Sequence, residues 1–110
     1  MFNLLDVIFY AVAAVLAIGA IVNAVGPPPL PAQYVRWGYP ENFRFVTAAL
    51  EATALMLMLS PGTRTLGLLL AALVMIAAVA TLLRAKELPH AIPAAAIFCA
   101  CVFLLTAPNT

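Results

Sequence analysis

An apolar run over residues 42–60 has the length of a membrane-crossing helix, and a glutamate, Glu51, stands near its centre. A charged side chain at the middle of a bilayer costs roughly 2.5–3.5 kcal/mol even on the mildest insertion scales. The helix that carries Glu51 must therefore turn that face toward protein, water or a cation. One span alone cannot satisfy this, so the rest of the chain has to fold around it.

The rest of the chain is suited to that task. Hydrophobic residues make up 66% of the 110 and charged residues 8%, with a mean hydropathy of +1.13. A soluble domain carries about 25% charged residues, so this chain lacks the polar groups to cover a water-facing surface. An integral membrane protein follows, with the lipid bilayer as its first partner, and at this length a single domain over residues 1–110. The net charge of +1 excludes a strongly basic nucleic-acid binder. Two cysteines without a CxxC or a Cys/His cluster exclude a disulfide framework and a zinc centre, and no metal site is expected. The first apolar run lacks a basic leader and is too long for a signal-peptide core, which predicts a retained span.

Four spans are expected, at about 4–25, 42–60, 65–83 and 88–107. About 20 residues at 1.5 Å each cross a ~30 Å hydrocarbon core. Asn3 suits the N-cap of the first span and Asp6 its first turn. Four-apart small pairs (Ala13/Ala17, Ala20/Ala24, Gly67/Ala71, Ala96/Ala100) let helices approach closely and raise the expectation of a homo-oligomer. Asn23, near the end of the first run, suits a hydrogen bond to a neighbouring helix. Gly26 and the prolines up to Pro31 stop that helix. Tyr34, Arg36, Trp37 and Tyr39 then predict a short interfacial segment of one or two helical turns, either an anchor or a lid. Ser60-Pro-Gly-Thr63 suits a type II turn that makes the flanking spans antiparallel neighbours. Pro89 belongs at the start of the last span, and Pro93 in its first turn or at a kink. Met56 and Met58 suit packing or lipid. Cys99 and Cys101, about 200° apart on a helix, suit packing rather than a disulfide. Residues 108–110 read as a stub with no soluble domain beyond.

An even number of spans puts both ends on one side, a topology that cysteine labelling of Asn3 and Thr110 from opposite faces would contradict. The two long loops then meet at the other side. They gather Arg36, Trp37, Tyr39, Glu41, Arg44, Arg84, Lys86, Glu87 and a solvated His90. The positive-inside rule makes that side cytoplasmic. Arg44, Thr47 and Glu51 share one helix face at i, i+3 and i+7. The expected polar cluster is Glu51, Arg44, Arg84, Arg36, Trp37, Tyr39 and Thr47, with Arg44 or Arg84 as the nearest cation to Glu51. Such a cluster is either an ionic lock between helices or a seat for the polar head of an apolar molecule, such as a quinone or phenol.

At Trp37-Gly-Tyr-Pro40, Arg44, Leu50-Glu51 and Pro61-Gly-Thr-Arg-Thr-Leu-Gly67 the chain resembles the DoxX-like family of small four-helix membrane proteins. The resemblance extends over nearly the whole chain. It implies a multi-pass protein of the bacterial inner membrane. Some members of the family are linked to thiosulfate:quinone oxidoreductase, and distant animal relatives act as assembly chaperones for membrane receptors. The chain departs from the family near the end of the first helix, where Gly19–Val25 lacks the lysine that members often carry.

The combined expectation is an all-α transmembrane four-helix bundle with a short interfacial segment between its first two spans. Its expected function is to bind a small apolar ligand, quinone-like among the possibilities, or a partner protein through a pocket centred on Glu51. The alternatives are a small membrane subunit that works with a membrane or peripheral redox partner, and a structural homo-oligomer. The sequence holds no flavin, haem or metal motif, and quinone redox work normally relies on such a cofactor, so no catalytic residue is assigned and enzymatic activity of the chain alone is not expected.

Overall fold

Asn3 opens the first helix with a reciprocal cap. Its side chain accepts from the Asp6 amide at 3.1 Å, and the Asp6 carboxylate accepts from the Asn3 amide at 3.2 Å. The helix runs to Val25 and stops at Gly26, whose φ of +65° is the left-handed conformation that glycine adopts without penalty. The computed structural model describes residues 3–107, so the expected stub at 108–110 lies outside the described residues. Among these the chain is all-α: α1 (Leu4–Val25), α2 (Leu30–Arg36), α3 (Phe43–Leu59), a 3-10 turn (Pro61–Thr63), α4 (Arg64–Arg84) and α5 (Leu88–Thr106).

Among the described residues three stretches are long and apolar enough to cross a membrane: Leu4–Val25, Pro61–Arg84 and Leu88–Thr106, with mean hydropathies of 2.5, 2.7 and 2.1. The helix carrying Glu51 is shorter. Its 17 residues span about 26 Å. Helix α1 packs on α3 and α5, and α4 packs on the same two, while the short α2 lies against α3. The core between them holds Phe9, Val12 and Leu16 of α1, Ala54 and Met58 of α3, Leu68, Ala71 and Met75 of α4, and Cys101 and Leu104 of α5. Large apolar side chains such as Leu4, Val25, Met56 and Leu73 point outward, as helices facing lipid require. Met56 is exposed and Met58 fully buried. Cys99 is exposed and Cys101 buried, in line with their two-residue spacing on a helix.

One local expectation needs correction, and one alternative is narrowed. The Ser60–Thr63 connection is a 3-10 turn rather than a type II turn, and Gly62 is not among the residues with positive φ. The Thr63 hydroxyl donates to the Leu57 carbonyl at 2.9 Å, and its amide donates to Ser60 at 3.1 Å. These bonds keep the turn tightly wound, and Pro61 feeds it directly into α4. Pro93 lies inside α5, past the first turn. The helix tolerates it although its missing amide leaves the carbonyl four residues earlier without a helical partner.

At the α3–α4 contact, a Cβ added to Gly67 would run into the backbone amide of Met58 and the backbone carbonyl of Ala54. The two helices approach there as closely as backbones allow, and only glycine permits it.

Candidate functional site

Glu51 stands on the middle of α3, about 12 Å from its start, and is 6% exposed. Its carboxylate lies over Gly19 of α1, where a Cβ would collide with it. Oε1 accepts a hydrogen bond from the Asn23 side-chain amide at 3.0 Å. The same Asn23 nitrogen donates to the Gly19 carbonyl at 2.9 Å. Tyr34 of α2 donates its hydroxyl hydrogen to Asn23 Oδ1 at 2.6 Å. Burial pushes the Tyr34 phenol up, which keeps it in the donating form. One chain of side-chain hydrogen bonds, Tyr34 to Asn23 to Glu51, thus ties α2, α1 and α3 together.

Neither Arg44 nor Arg84, the arginines expected nearest to Glu51, forms an ion pair with it among the described residues. Among the described residues the ion pairs are Arg36–Glu87 and His90–Glu87, and neither involves Glu51. Arg44 turns the other way and donates from Nη1 to the carbonyls of Asn23 and Ala24 at 2.8 and 2.9 Å. These carbonyls belong to the last turn of α1, which has no intrahelical donors left and carries the negative end of the helix dipole. The guanidinium also lies 4.1 Å from the centre of the Phe45 ring. Gly26 makes this possible, because a Cβ there would occupy the space of the guanidinium. Arg44 is about 10 Å above Glu51 along α3, while the end of α1 is beside it, so the nearer acceptors win.

The other loop cations form an outer clasp. Arg36 donates to Glu87 Oε2 from Nη2 at 2.7 Å and from Nε at 3.0 Å, and Trp37 Nε1 donates to the same oxygen at 3.0 Å. His90 Nδ1 is 3.1 Å from Glu87 Oε1. Arg84 donates to the Trp37 carbonyl at 3.0 Å. The Tyr39 hydroxyl meets the Thr81 hydroxyl at 2.8 Å. The segment after α1 is thereby stitched to the α4–α5 connection.

The hydrogen bond from Arg36 first, then those from His90 and Trp37, lower the Glu87 carboxyl from 4.5 to about 2. A carboxyl whose pKa falls on folding stabilises the folded state above its unfolded value, and that contribution disappears as pH drops through the folded value. The clasp is therefore expected to stay whole above pH 4.5 and to open as the pH approaches about 2. Trp37 is the one tryptophan of the chain, so its emission should shift over this range. A transition that is unchanged in Glu87→Gln would rule the clasp out as its cause.

Between α2, α3 and α4 lies a cavity of about 360 Å³, within the roughly 300–1,000 Å³ range of small-molecule sites. Its polar end is Asn23, Tyr34, Thr47 and Glu51, its far wall includes Val74, Met75, Ala78 and Leu82, and Trp37, Tyr39 and Phe43 line it as an aromatic collar. The Tyr39 and Phe43 rings stack with centroids 4.9 Å apart. Of the expected cluster, Glu51, Trp37, Tyr39 and Thr47 line this cavity; Arg36, Arg44 and Arg84 do not. Asn23, Tyr34, Phe43 and Thr81 line it although they stand outside the expected cluster. Asn23 carries a signal in the sequence, since a lone amide in an apolar run is the natural partner for a lone carboxylate in the next.

A larger cavity of about 500 Å³ lies at the opposite end, lined by Asn3, Asp6, Phe9 and Arg64 among others. There Asn3 and Asp6 cap each other, and Arg64 lies over the Phe9 ring and donates to the Met58 carbonyl. The smaller cavity is the candidate site, because it alone of the two is lined by a buried carboxylate.

Comparison with curated proteins and with solved structures finds no match. The family model described as the DoxX-like family matches residues 7–105, from the second turn of α1 almost to the end of α5. With that match running through the helices that build the Glu51 cavity, the chain belongs to the DoxX-like family and is a multi-pass membrane protein.

Proposed function

We propose that this protein is a four-span, single-domain membrane bundle that holds a small apolar molecule by its polar end in the cavity beside Glu51. The packing of α3 against both α1 and α4 supports counting it as the fourth span. The three-residue turn to α4 leaves α3 no route away from the bundle. The loop side, with Arg36, Arg44, Arg84 and Lys86, faces the cytoplasm of a bacterial cell in this reading. Helix α2, with Tyr34 and Trp37, lies at the interface as a lid.

One observation carries the proposal. A buried carboxylate, held by a neutral amide rather than by a cation, sits at the polar end of a cavity whose far wall is apolar. A carboxylate kept only to lock helices would gain more from the arginine on its own helix face. Here that arginine caps α1 instead, and Glu51 keeps acceptor capacity beside open space.

The test is mass spectrometry of the small molecules that copurify with the protein in a mild detergent. Ala78, on the α4 wall, is the place to fill the cavity. Ala78→Phe is expected to lose a copurifying species that the wild type retains, while the protein stays folded. Identical small-molecule profiles for the two proteins would contradict the proposal.

A further inference from the structure

The hydrogen-bond roles at the polar end of the cavity are unevenly distributed. Both hydrogens of the Asn23 amide have acceptors, Gly19 O and Glu51 Oε1. The oxygen of that amide takes the Tyr34 hydroxyl hydrogen, so Tyr34 has no second hydrogen to give. The Thr47 hydroxyl is engaged with the Tyr34 phenol oxygen, so its hydrogen is taken up as well. What is left over is an acceptor. Among the described residues Glu51 Oε2 receives no donor, and yet no enclosed side-chain nitrogen or oxygen of theirs lacks a partner. Oε2 is therefore not sealed off, although Glu51 as a residue is 6% exposed. It belongs to a residue that lines the cavity, and it lies toward Gly19 of α1, whose missing Cβ leaves the space beside it open.

We infer that the cavity selects molecules whose polar end donates an O–H or N–H hydrogen bond to Glu51, with an apolar, preferably aromatic body behind it. The inference rests on the proposed cavity function and narrows it. A phenol, an alcohol or an amine completes the site. A head that only accepts, such as an ether, an ester or an oxidised quinone carbonyl, sets its lone pairs against those of Oε2. The aromatic collar of Trp37, Tyr39 and Phe43 suits a flat body, by ring stacking. A buried acceptor denied its donor discriminates strongly, whereas an apolar wall barely distinguishes an added hydroxyl from its absence.

The test uses 4-tert-butylphenol and 4-tert-butylanisole, which share a body and differ in whether the oxygen carries a hydrogen. Each is titrated into the protein in nanodiscs, with Trp37, the one tryptophan and part of the collar, as the fluorescent reporter. The phenol is expected to bind roughly tenfold or more tightly than the anisole. Ala78→Phe is expected to abolish the signal for both, and Glu51→Gln, whose amide offers hydrogens instead, to erase the preference. Equal affinities for the two probes, both lost in Ala78→Phe, would overturn the inference and leave the cavity function standing. Absence of binding by either probe, or binding that Ala78→Phe leaves intact, would overturn both. The wild-type comparison decides the inference even if Glu51→Gln folds poorly.

Discussion

Gly67→Ala is expected to lower the thermal stability of the protein in detergent sharply, by about 1–3 kcal/mol or more, as overpacking does in a close-packed interior. The added Cβ meets the backbone of Met58 and Ala54, and backbone atoms cannot swing aside as a side chain can. Helices α3 and α4 must separate, and every contact between Ala54, Met58, Leu68 and Ala71 in the core loosens with them. Gly62, five residues earlier in the 3-10 turn, is the matched control. A Cβ there meets nothing within 4 Å and its φ is not positive, so Gly62→Ala should leave the melting temperature essentially unchanged. If Gly67→Ala and Gly62→Ala melt alike, the close approach of α3 to α4 is wrong.

Asn23→Leu is the second large effect. It removes the one hydrogen bond that the Glu51 carboxylate accepts from a side chain among the described residues and leaves the Tyr34 hydroxyl without its acceptor. A buried polar group stripped of its partner costs about 1–3 kcal/mol, and a buried charge about 3–5. The Arg44 cap on α1 is unaffected, because it uses the backbone carbonyl of residue 23 rather than its side chain. Adding Glu51→Leu to Asn23→Leu should recover much of the loss, since replacing both partners by apolar groups removes the unmet demand. Thermal unfolding of the two single variants and the double variant in one detergent gives the coupling directly. A double variant as unstable as the sum of the singles would mean that the two side chains do not interact.

The helices were legible because apolar runs and their punctuation are local. Gly26 and the following prolines, the Pro61–Thr63 connection and the Lys86–Pro89 loop mark the ends of α1, α3, α4 and α5 to within about a residue of where the structure places them. The importance of Glu51 was legible for the same reason, because a carboxylate in an apolar run is costly wherever it points. Its partner was harder to read. Helical spacing puts Arg44 on the Glu51 face, but spacing along α3 says nothing about where α1 ends. Once α1 stops at Gly26 beside Arg44, its unsatisfied carbonyls outcompete a carboxylate two turns away. The same unseen register puts Asn23, a full 28 residues from Glu51 in sequence, within 3.0 Å of it. Tyr34 and Thr81 became cavity residues through tertiary packing of α2 and α4, which no single segment encodes.

The central claim is that Glu51 serves the cavity rather than locks the bundle, and Glu51→Gln tests it most directly. Glutamine keeps the shape and an Oε1 that can accept from Asn23, so the Tyr34–Asn23 chain should survive. Thermal unfolding and native mass spectrometry of the variant and the wild type, purified side by side, give both readouts from one sample. A melting temperature close to that of the wild type, with the copurifying small molecule lost, is the predicted result. A variant that unfolds well below the wild type while both carry the same bound species would contradict it, and would make Glu51 a structural residue.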